Sequence, residues 1–320
     1  MIIVTGAAGF IGSNIIKELF EANYKDIIAV DIDDKIAKSE YLSGKEVKTV
    51  NFDDLEGFIT ENHSLIQAVI HMGACSDTTE TDPAIFEKYN LGNTKMLWNA
   101  CTEYGLVFIY ASSAATYGDG EHGYSDDANL IKFLRPLNLY GQSKQDFDVW
   151  ALDQRKQPMF WAGLKFFNVY GPNENHKGRM ASVVRHAYFQ ITETDKMKLF
   201  RSHNPNFEDG EQTRDFVYVK DVASVILFLM EKRPESGILN VGFGAGRTFK
   251  DLVKNTFKAM GKDINIEYID TPIDIRDKYQ YYTCADISRL RKLGYDKEMT
   301  SLEDGVNDYV KNYLIPDAIN

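Results

Sequence analysis

Gly6, Gly9 and Gly12 follow a short apolar run in MIIVTGAAGFIG, and this arrangement constrains the fold more than any other feature of the chain. The opening residues are too few, and lack the basic start, for a secretion signal, so they read as a buried strand. Gly6 permits a tight turn from strand to helix, Gly9 lets the backbone approach a pyrophosphate, and Gly12 lets the helix pack closely on the sheet. An amphipathic stretch from Ile11 to about Ala22 supplies that helix, whose free N–H groups and dipole favour an anion. A second strand, IIAVD, ends in Asp31, about 20 residues past the glycines, where a carboxylate can take the adenosine ribose hydroxyls.

Strand and helix patterns alternate onward: VKTVNF near 47–52, AVIHMG near 68–73, a helix from about Ala84 to Tyr104, and VFIYASS near 107–113. Continuous apolar strands separated by helices predict an α/β fold with a doubly wound parallel sheet of the Rossmann type. At 320 residues a second unit is expected. We expect a dinucleotide-binding domain over 1–167, with 214–238 returning to it. A smaller mixed α/β substrate-binding domain is expected over 168–213 and 239–320, taking in helix MASVVRHAYFQI and strand ILNVG. Because no Pro-rich or Gly/Ser-rich linker divides them, the two should interleave, with the site between them.

Composition removes several function classes. A net charge of −11 argues against broad nucleic-acid binding. No apolar run approaches the ~20 residues of a membrane span. Cys75, Cys101 and Cys284 are widely spaced, which fits a reducing cytoplasm and suggests no metal site.

Ligands of such sheets bind beyond the carboxyl ends of the strands, where His71, Gly73, Ala74, Ser112 and Ser113 fall. The segment NLYGQSKQDF then offers Tyr140 and Lys144 four residues apart, on one helical face. A nearby ammonium favours a phenolate and so makes a tyrosine usable for proton transfer at neutral pH. Ser113, Tyr140 and Lys144 can converge over a nicotinamide.

Taken in order, TGAAGFIG, YASSAATYG, Tyr140-Gly-Gln-Ser-Lys144, KFFNVYGP and RDFVYVKDVA resemble the extended short-chain dehydrogenase/reductase family, whose members act on nucleotide sugars. The resemblance covers nearly the whole chain. GACSDTTE, NVYGPNENHKGRMASV and YQYYTCADI are similar to its branch that epimerises an ADP-linked heptose at the sixth carbon. It implies that Tyr140 takes the hydroxyl proton, that Ser113 bonds the same oxygen, and that Lys144 also holds the nicotinamide ribose. It further implies a second acid/base group, Lys177, in HKG, serving the other face of the carbonyl.

For the cofactor, the resemblance implies contacts from the glycine loop with Phe10 and Ile11, from Asp31, Ile32 and Lys38, and from Met72, Gly73, Ala74, Cys75 and Ser76. Asn90, Val169 and Lys177 complete that set. Asp31 with Asp33 and Asp34 favours NAD, whereas Lys35 and Lys38 favour NADP; NADP is the preferred expectation. Substrate contacts are implied at Asn168, His186, Arg214 and Tyr279, with Phe200, Arg201, Ser202 and His203 in a neighbouring loop. That loop, RSHNPNFEDGEQT, is long with an acidic tip, and Arg179 stands where a small polar residue is expected; either could alter substrate choice. The family also implies a homo-oligomer, with a pentamer expected, although no heptad or repeat in the sequence points to one.

Two alternatives remain. Another nucleotide-sugar enzyme, such as a UDP-hexose 4-epimerase, fits the same redox residues, while a 4,6-dehydratase needs an Asp-Glu pair where this chain has Ala114, Ala115 and Thr116. A non-catalytic NADP sensor tends to lose the tyrosine or the lysine, and both are present.

Overall fold

In a computed structural model, which describes residues 1–42, 47–276 and 280–317, the chain builds one seven-stranded sheet with helices on both faces. Its strands are β1 (Ile2–Thr5), β2 (Ile27–Asp31), β3 (Lys48–Asn51), β4 (Ala68–His71), β5 (Val107–Ser113), β6 (Phe160–Phe166) and a last strand, Gly237–Val241. Across the sheet the order is Gly237–Val241, β6, β5, β4, β1, β2, β3, and all pairs are parallel. The direction of winding reverses between β1 and β4, and such a switch point opens a crevice at the strand ends. Thr5 and His71 are partners there, so Gly6 and Met72 leave the sheet side by side.

Why these strands are apolar throughout follows from their burial. Ile2, Val4, Ile15, Ile16, Val107 and Ile109 join one core, and Ile3, Val69, Trp98, Phe108 and Trp161 join another on the opposite face. Successive side chains point to opposite faces, so both positions must be hydrophobic. Helix α1 (Phe10–Glu21) covers the first face together with the helix Val219–Lys232.

A third core gathers Tyr170, Val184, Tyr188, Leu199, Phe216, Leu252, Phe257 and Tyr309. Around it lie short strand pairs: Asn168–Tyr170 with Phe216–Tyr218, and Met197–Phe200 with Ile266–Ile269. One expectation is corrected. ILNVG was assigned to the smaller unit, but Gly237–Val241 is the outer strand of the large sheet, paired with β6. All five residues are buried, and burial under covering elements makes an outer strand as apolar as a central one.

Candidate active site at the switch point

The glycine loop has the shape the sequence predicts. Gly6 adopts φ +64°, and a Cβ there would lie 2.7 Å from the Gly73 nitrogen, so the two strand-end turns touch only because both lack side chains. A Cβ on Gly12 would run into the Gly6 carbonyl. Gly9 begins α1 with no side chain capping the first turn, so its N–H groups are available to an anion. Asp31 is buried and accepts from the Ala8 N–H at 3.1 Å and the Ile32 N–H at 3.0 Å, which fixes the loop to the end of β2. These residues fit a dinucleotide: an uncapped helix start, a bare backbone loop, and a carboxylate at the next strand end.

Basic groups surround the Asp31 end. The His176 imidazole is held below its ordinary range by burial and by the Lys177 and Lys35 charges, while Asp31 opposes them. Lys38 is exposed on the short helix Asp33–Lys38, 3.9 Å from Asp34.

Beyond β4, the Gly73 N–H donates to the Thr5 hydroxyl at 3.1 Å. Asn90, expected to meet the cofactor, acts in this structure as a brace. It bonds both backbone groups of Cys75, at 2.8 and 2.9 Å, and its amide donates to the Ser143 hydroxyl at 2.9 Å. Cys75 is thereby fixed against the helix Leu139–Leu152, which carries Tyr140 and Lys144. Asn138 caps that helix by accepting from the Gly141 N–H at 2.8 Å.

Ser113 closes β5 and hydrogen-bonds the Tyr140 phenol. Burial pushes that phenol above its usual range, the Ser113 bond pulls it down, and Cys75 adds to the rise. The expected tuning of Tyr140 by the Lys144 charge is not what the structure gives. Lys144 is buried and donates to the Ala111 carbonyl at 2.8 Å, and burial pushes its own ammonium down to about 8. Sharing a helical face brings the two side chains near each other, but the lysine's donor is directed to the sheet.

Lys177 arrives from the other side. Its segment, residues 175–180, is secured to α1 because Asn14 donates to the Pro172 carbonyl at 2.9 Å and Asn173 donates to the Ser13 hydroxyl at 3.1 Å. The Lys177 ammonium lies 4.9 Å from the Phe10 ring centroid and is half-buried. Burial lowers its proton affinity, and Glu174 opposes the shift. Glu174 is fully buried, accepting from the Ser182 N–H at 2.6 Å, the Ser182 hydroxyl at 2.5 Å and the Tyr309 hydroxyl at 2.9 Å. Arg179 is exposed; its charge acts on Asp77, whose carboxylate is held down first by Thr79. The segments after β4 and around HKG therefore face each other.

The remaining expected contacts differ in burial. Asn168 is exposed, with its N–H donating to the Asp215 carbonyl at 2.9 Å, and Val169 follows it, half-buried. His186 is exposed on Val183–Thr194 and bonds the Arg179 carbonyl at 3.3 Å. Arg214 is buried, donating to the Thr213 and Gln280 carbonyls at 2.9 and 2.5 Å. The long loop is held within itself and by neighbouring segments: Asp209 accepts from the Ser202 N–H at 2.7 Å, Arg201 pairs with Asp270 at 3.5 Å, and the His203 N–H donates to the Tyr281 hydroxyl at 3.1 Å. Its acidic tip is thus engaged locally, and Phe200 ends the strand before it. Tyr279 lies outside the described residues.

Sequence reasoning overlooked Asp148, Lys165 and Glu174. Asp148 continues the Tyr140–Lys144 face by one turn, and Lys165 is a lone lysine within the apolar strand WAGLKFF, so both left a signal. Glu174 left none.

Comparison with known proteins gives a consistent picture. Residues 2–242 match the family described as NAD dependent epimerase/dehydratase family. ADP-L-glycero-D-manno-heptose-6-epimerase of Fusobacterium nucleatum is 50% identical, over 98% of this chain and 98% of its own. The protein of the same name from Nitratidesulfovibrio vulgaris strain Hildenborough is 47% identical, again over 98% of each chain. Among solved structures, the Helicobacter pylori ADP-L-glycero-D-manno-heptose-6-epimerase superposes with a TM-score of 0.82 at 27% identity, covering 97% of this chain and 95% of that one. UDP-N-acetylglucosamine 4-epimerase from Methanobrevibacter ruminantium shares the fold, with a TM-score of 0.83 at 22% identity over 98% of each chain.

Proposed function

Because the chain belongs to the NAD dependent epimerase/dehydratase family, we propose that it inverts the sixth carbon of the heptose in ADP-D-glycero-D-manno-heptose, giving the ADP-L-glycero epimer. The product is a heptose precursor for lipopolysaccharide core synthesis. Full-length likeness to proteins named for this reaction supports the substrate. What supports the chemistry most directly is the half-buried Lys177 ammonium, 4.9 Å from the Phe10 ring beside the glycine loop, together with the hydrogen-bonded Ser113–Tyr140 pair.

A bound nicotinamide dinucleotide supplies reversible hydride acceptance. Gly6, Gly9 and Gly12, with Phe10 and Ile11 at the helix start, would hold its pyrophosphate, and Asp31, Ile32 and Met72 to Ser76 would complete its site. Lys144 would hold the nicotinamide ribose. Tyr140 exchanges a proton with the sixth-carbon hydroxyl of one epimer, and Ser113 bonds the same oxygen. Lys177 exchanges the proton for the other epimer, on the opposite face of the carbonyl. A lysine with lowered proton affinity suits that role, since burial makes its neutral, proton-accepting form easier to reach. Asn168, Arg179, His186 and Arg214 line the nucleotide-sugar side, with Phe200 to His203 beyond them.

For the cofactor we favour NADP over NAD, since Lys35, Lys38 and His176 stand around the Asp31 end. We infer a cytoplasmic homo-oligomer, and a pentamer on the family resemblance, which light scattering of the purified protein tests. The function itself is tested by incubating purified protein with ADP-D-glycero-D-manno-heptose and following the sugar by proton NMR. Equilibration with the L-glycero epimer is expected. No equilibration, together with epimerisation of a UDP-hexose, would replace this reading with a UDP-hexose 4-epimerase.

A further inference from the structure

Glu174 is fully buried at the entry to the HKG segment, and neutral donors hold its carboxylate. One oxygen accepts from the Ser182 N–H at 2.6 Å; the other accepts from the Ser182 hydroxyl at 2.5 Å and the Tyr309 hydroxyl at 2.9 Å. Ser182 caps the helix Val183–Thr194, where its hydroxyl also accepts from the Arg185 N–H at 3.3 Å. Tyr309 ends the helix Leu302–Tyr309 and belongs to the third core.

The two ends of the HKG segment therefore meet at one carboxylate. Between them the backbone closes on itself: the Lys177 N–H donates to the Glu174 carbonyl at 3.0 Å, and the Ala181 N–H to the Gly178 carbonyl at 3.2 Å. Of residues 175–180, Lys177 alone is partly buried; the rest are exposed. A carboxylate taken out of water is costly, and a well-packed apolar side chain often stabilises as well or better. What the carboxylate adds is direction, because three donors on two helices fix where residue 174 lies, and residue 177 is bonded to it.

We propose that Glu174 is a positioning residue for the reaction: by clamping Ser182 and Tyr309 it holds the segment in the closure that sets the Lys177 ammonium against Phe10. The proposal rests on reading Lys177 as the acid/base group for one epimer and Tyr140 as that for the other. Glu174 acts through its bonds and not its charge, so an uncharged side chain that makes the same bonds should serve. Glutamine can do so. Its carbonyl accepts from the Ser182 N–H, and its amide donates to the two hydroxyls, which accept as readily as they donate. Alanine cannot, and it frees both ends of the segment.

The test mixes cofactor-loaded protein with each epimer separately, ADP-D-glycero-D-manno-heptose or its L-glycero counterpart, and follows the transient absorbance of reduced nicotinamide by stopped flow. Lys177→Met should slow this oxidation for one epimer and spare the other. Glu174→Ala should slow the same epimer by about 10²-fold, as a misplacement near 1 Å does, and Glu174→Gln should run close to the native rate. Tyr309→Phe keeps the packed ring but removes one bond, so it should slow that epimer less; it carries the test where the alanine variant does not fold. Equal slowing of both epimers, as general loosening would give, overturns the proposal, as does native behaviour of the alanine variant or, in its place, of Tyr309→Phe. A glutamine variant as slow as alanine also overturns it, since charge would then be the requirement. Lys177→Met that shows no preference between epimers would instead defeat the reading on which the proposal rests, so the two failures are distinguishable.

Discussion

The Lys177 ammonium lies 4.9 Å from the centroid of the Phe10 ring, which joins a loop in the middle of the chain to the first residue of α1. The contact is reinforced where Asn14 and Asn173 tie the 172–173 backbone and side chains to α1. In the proposed mechanism, one helix start would receive the cofactor's phosphates and position the second proton-transfer group. Moving either would move the other, so the HKG segment is coupled to the start of α1.

Gly12→Ala tests the glycine loop. Its Cβ would meet the Gly6 carbonyl, so either α1 moves away or the loop opens. Overpacking of this kind costs about 1–3 kcal/mol. We expect the purified variant to retain at least about tenfold less nicotinamide cofactor, the equivalent of ~1.4 kcal/mol of binding, measured by absorbance after acid release. Native cofactor content would show that the close approach is unnecessary.

His71 predicts a defined acid sensitivity. Its ring bonds the Thr5 hydroxyl at 2.6 Å and the Thr94 hydroxyl at 3.1 Å, and burial followed by the Lys144 charge lowers it from 6.5 to about 3. A depressed folded value means the contribution to stability is complete above pH 6.5 and lost as pH falls from there toward 3. Each pH unit in that window removes up to ~1.4 kcal/mol. Urea unfolding of the native protein should therefore lose ~2 kcal/mol more than His71→Asn between pH 6.5 and 5. Parallel losses would assign the acid sensitivity to other groups.

Cofactor choice is testable through Lys35 and Lys38. Reversing both charges, Lys35→Glu with Lys38→Glu, should weaken NADP binding to the cofactor-stripped protein about tenfold or more, or ~1.4 kcal/mol, while changing NAD binding much less. Calorimetric titration of each nucleotide checks this. Equal effects on both would mean that these lysines act on a part common to the two cofactors.

Much of the fold was legible because its causes are local. Buried parallel strands must be apolar on both faces, and Gly6, Gly9 and Gly12 have steric reasons to be glycine, so β1 to β5 and α1 could be read directly. Gly237–Val241 was misplaced because apolar strands carry no label for the sheet they join. The Tyr140, Lys144 and Asp148 face was visible in helical spacing, but the direction of the Lys144 donor depends on the Ala111 carbonyl, far away in sequence. Lys177 lies in a polar loop, NENHKGR, where nothing local marks it as enclosed. Its half-burial depends on α1 and on a loop braced by Glu174, Ser182 and Tyr309, contacts that no local pattern encodes.

Two proton-transfer groups serving opposite faces of one carbonyl are the centre of this mechanism, and the direct measurement compares epimerisation rates of native protein, Tyr140→Phe and Lys177→Met on ADP-D-glycero-D-manno-heptose. Each substitution should slow interconversion by about 10² to 10⁴-fold, the usual contribution of a positioned acid or base, with native thermal stability. Undiminished turnover in Lys177→Met would remove Lys177 from the chemistry and leave Tyr140 to serve both faces alone.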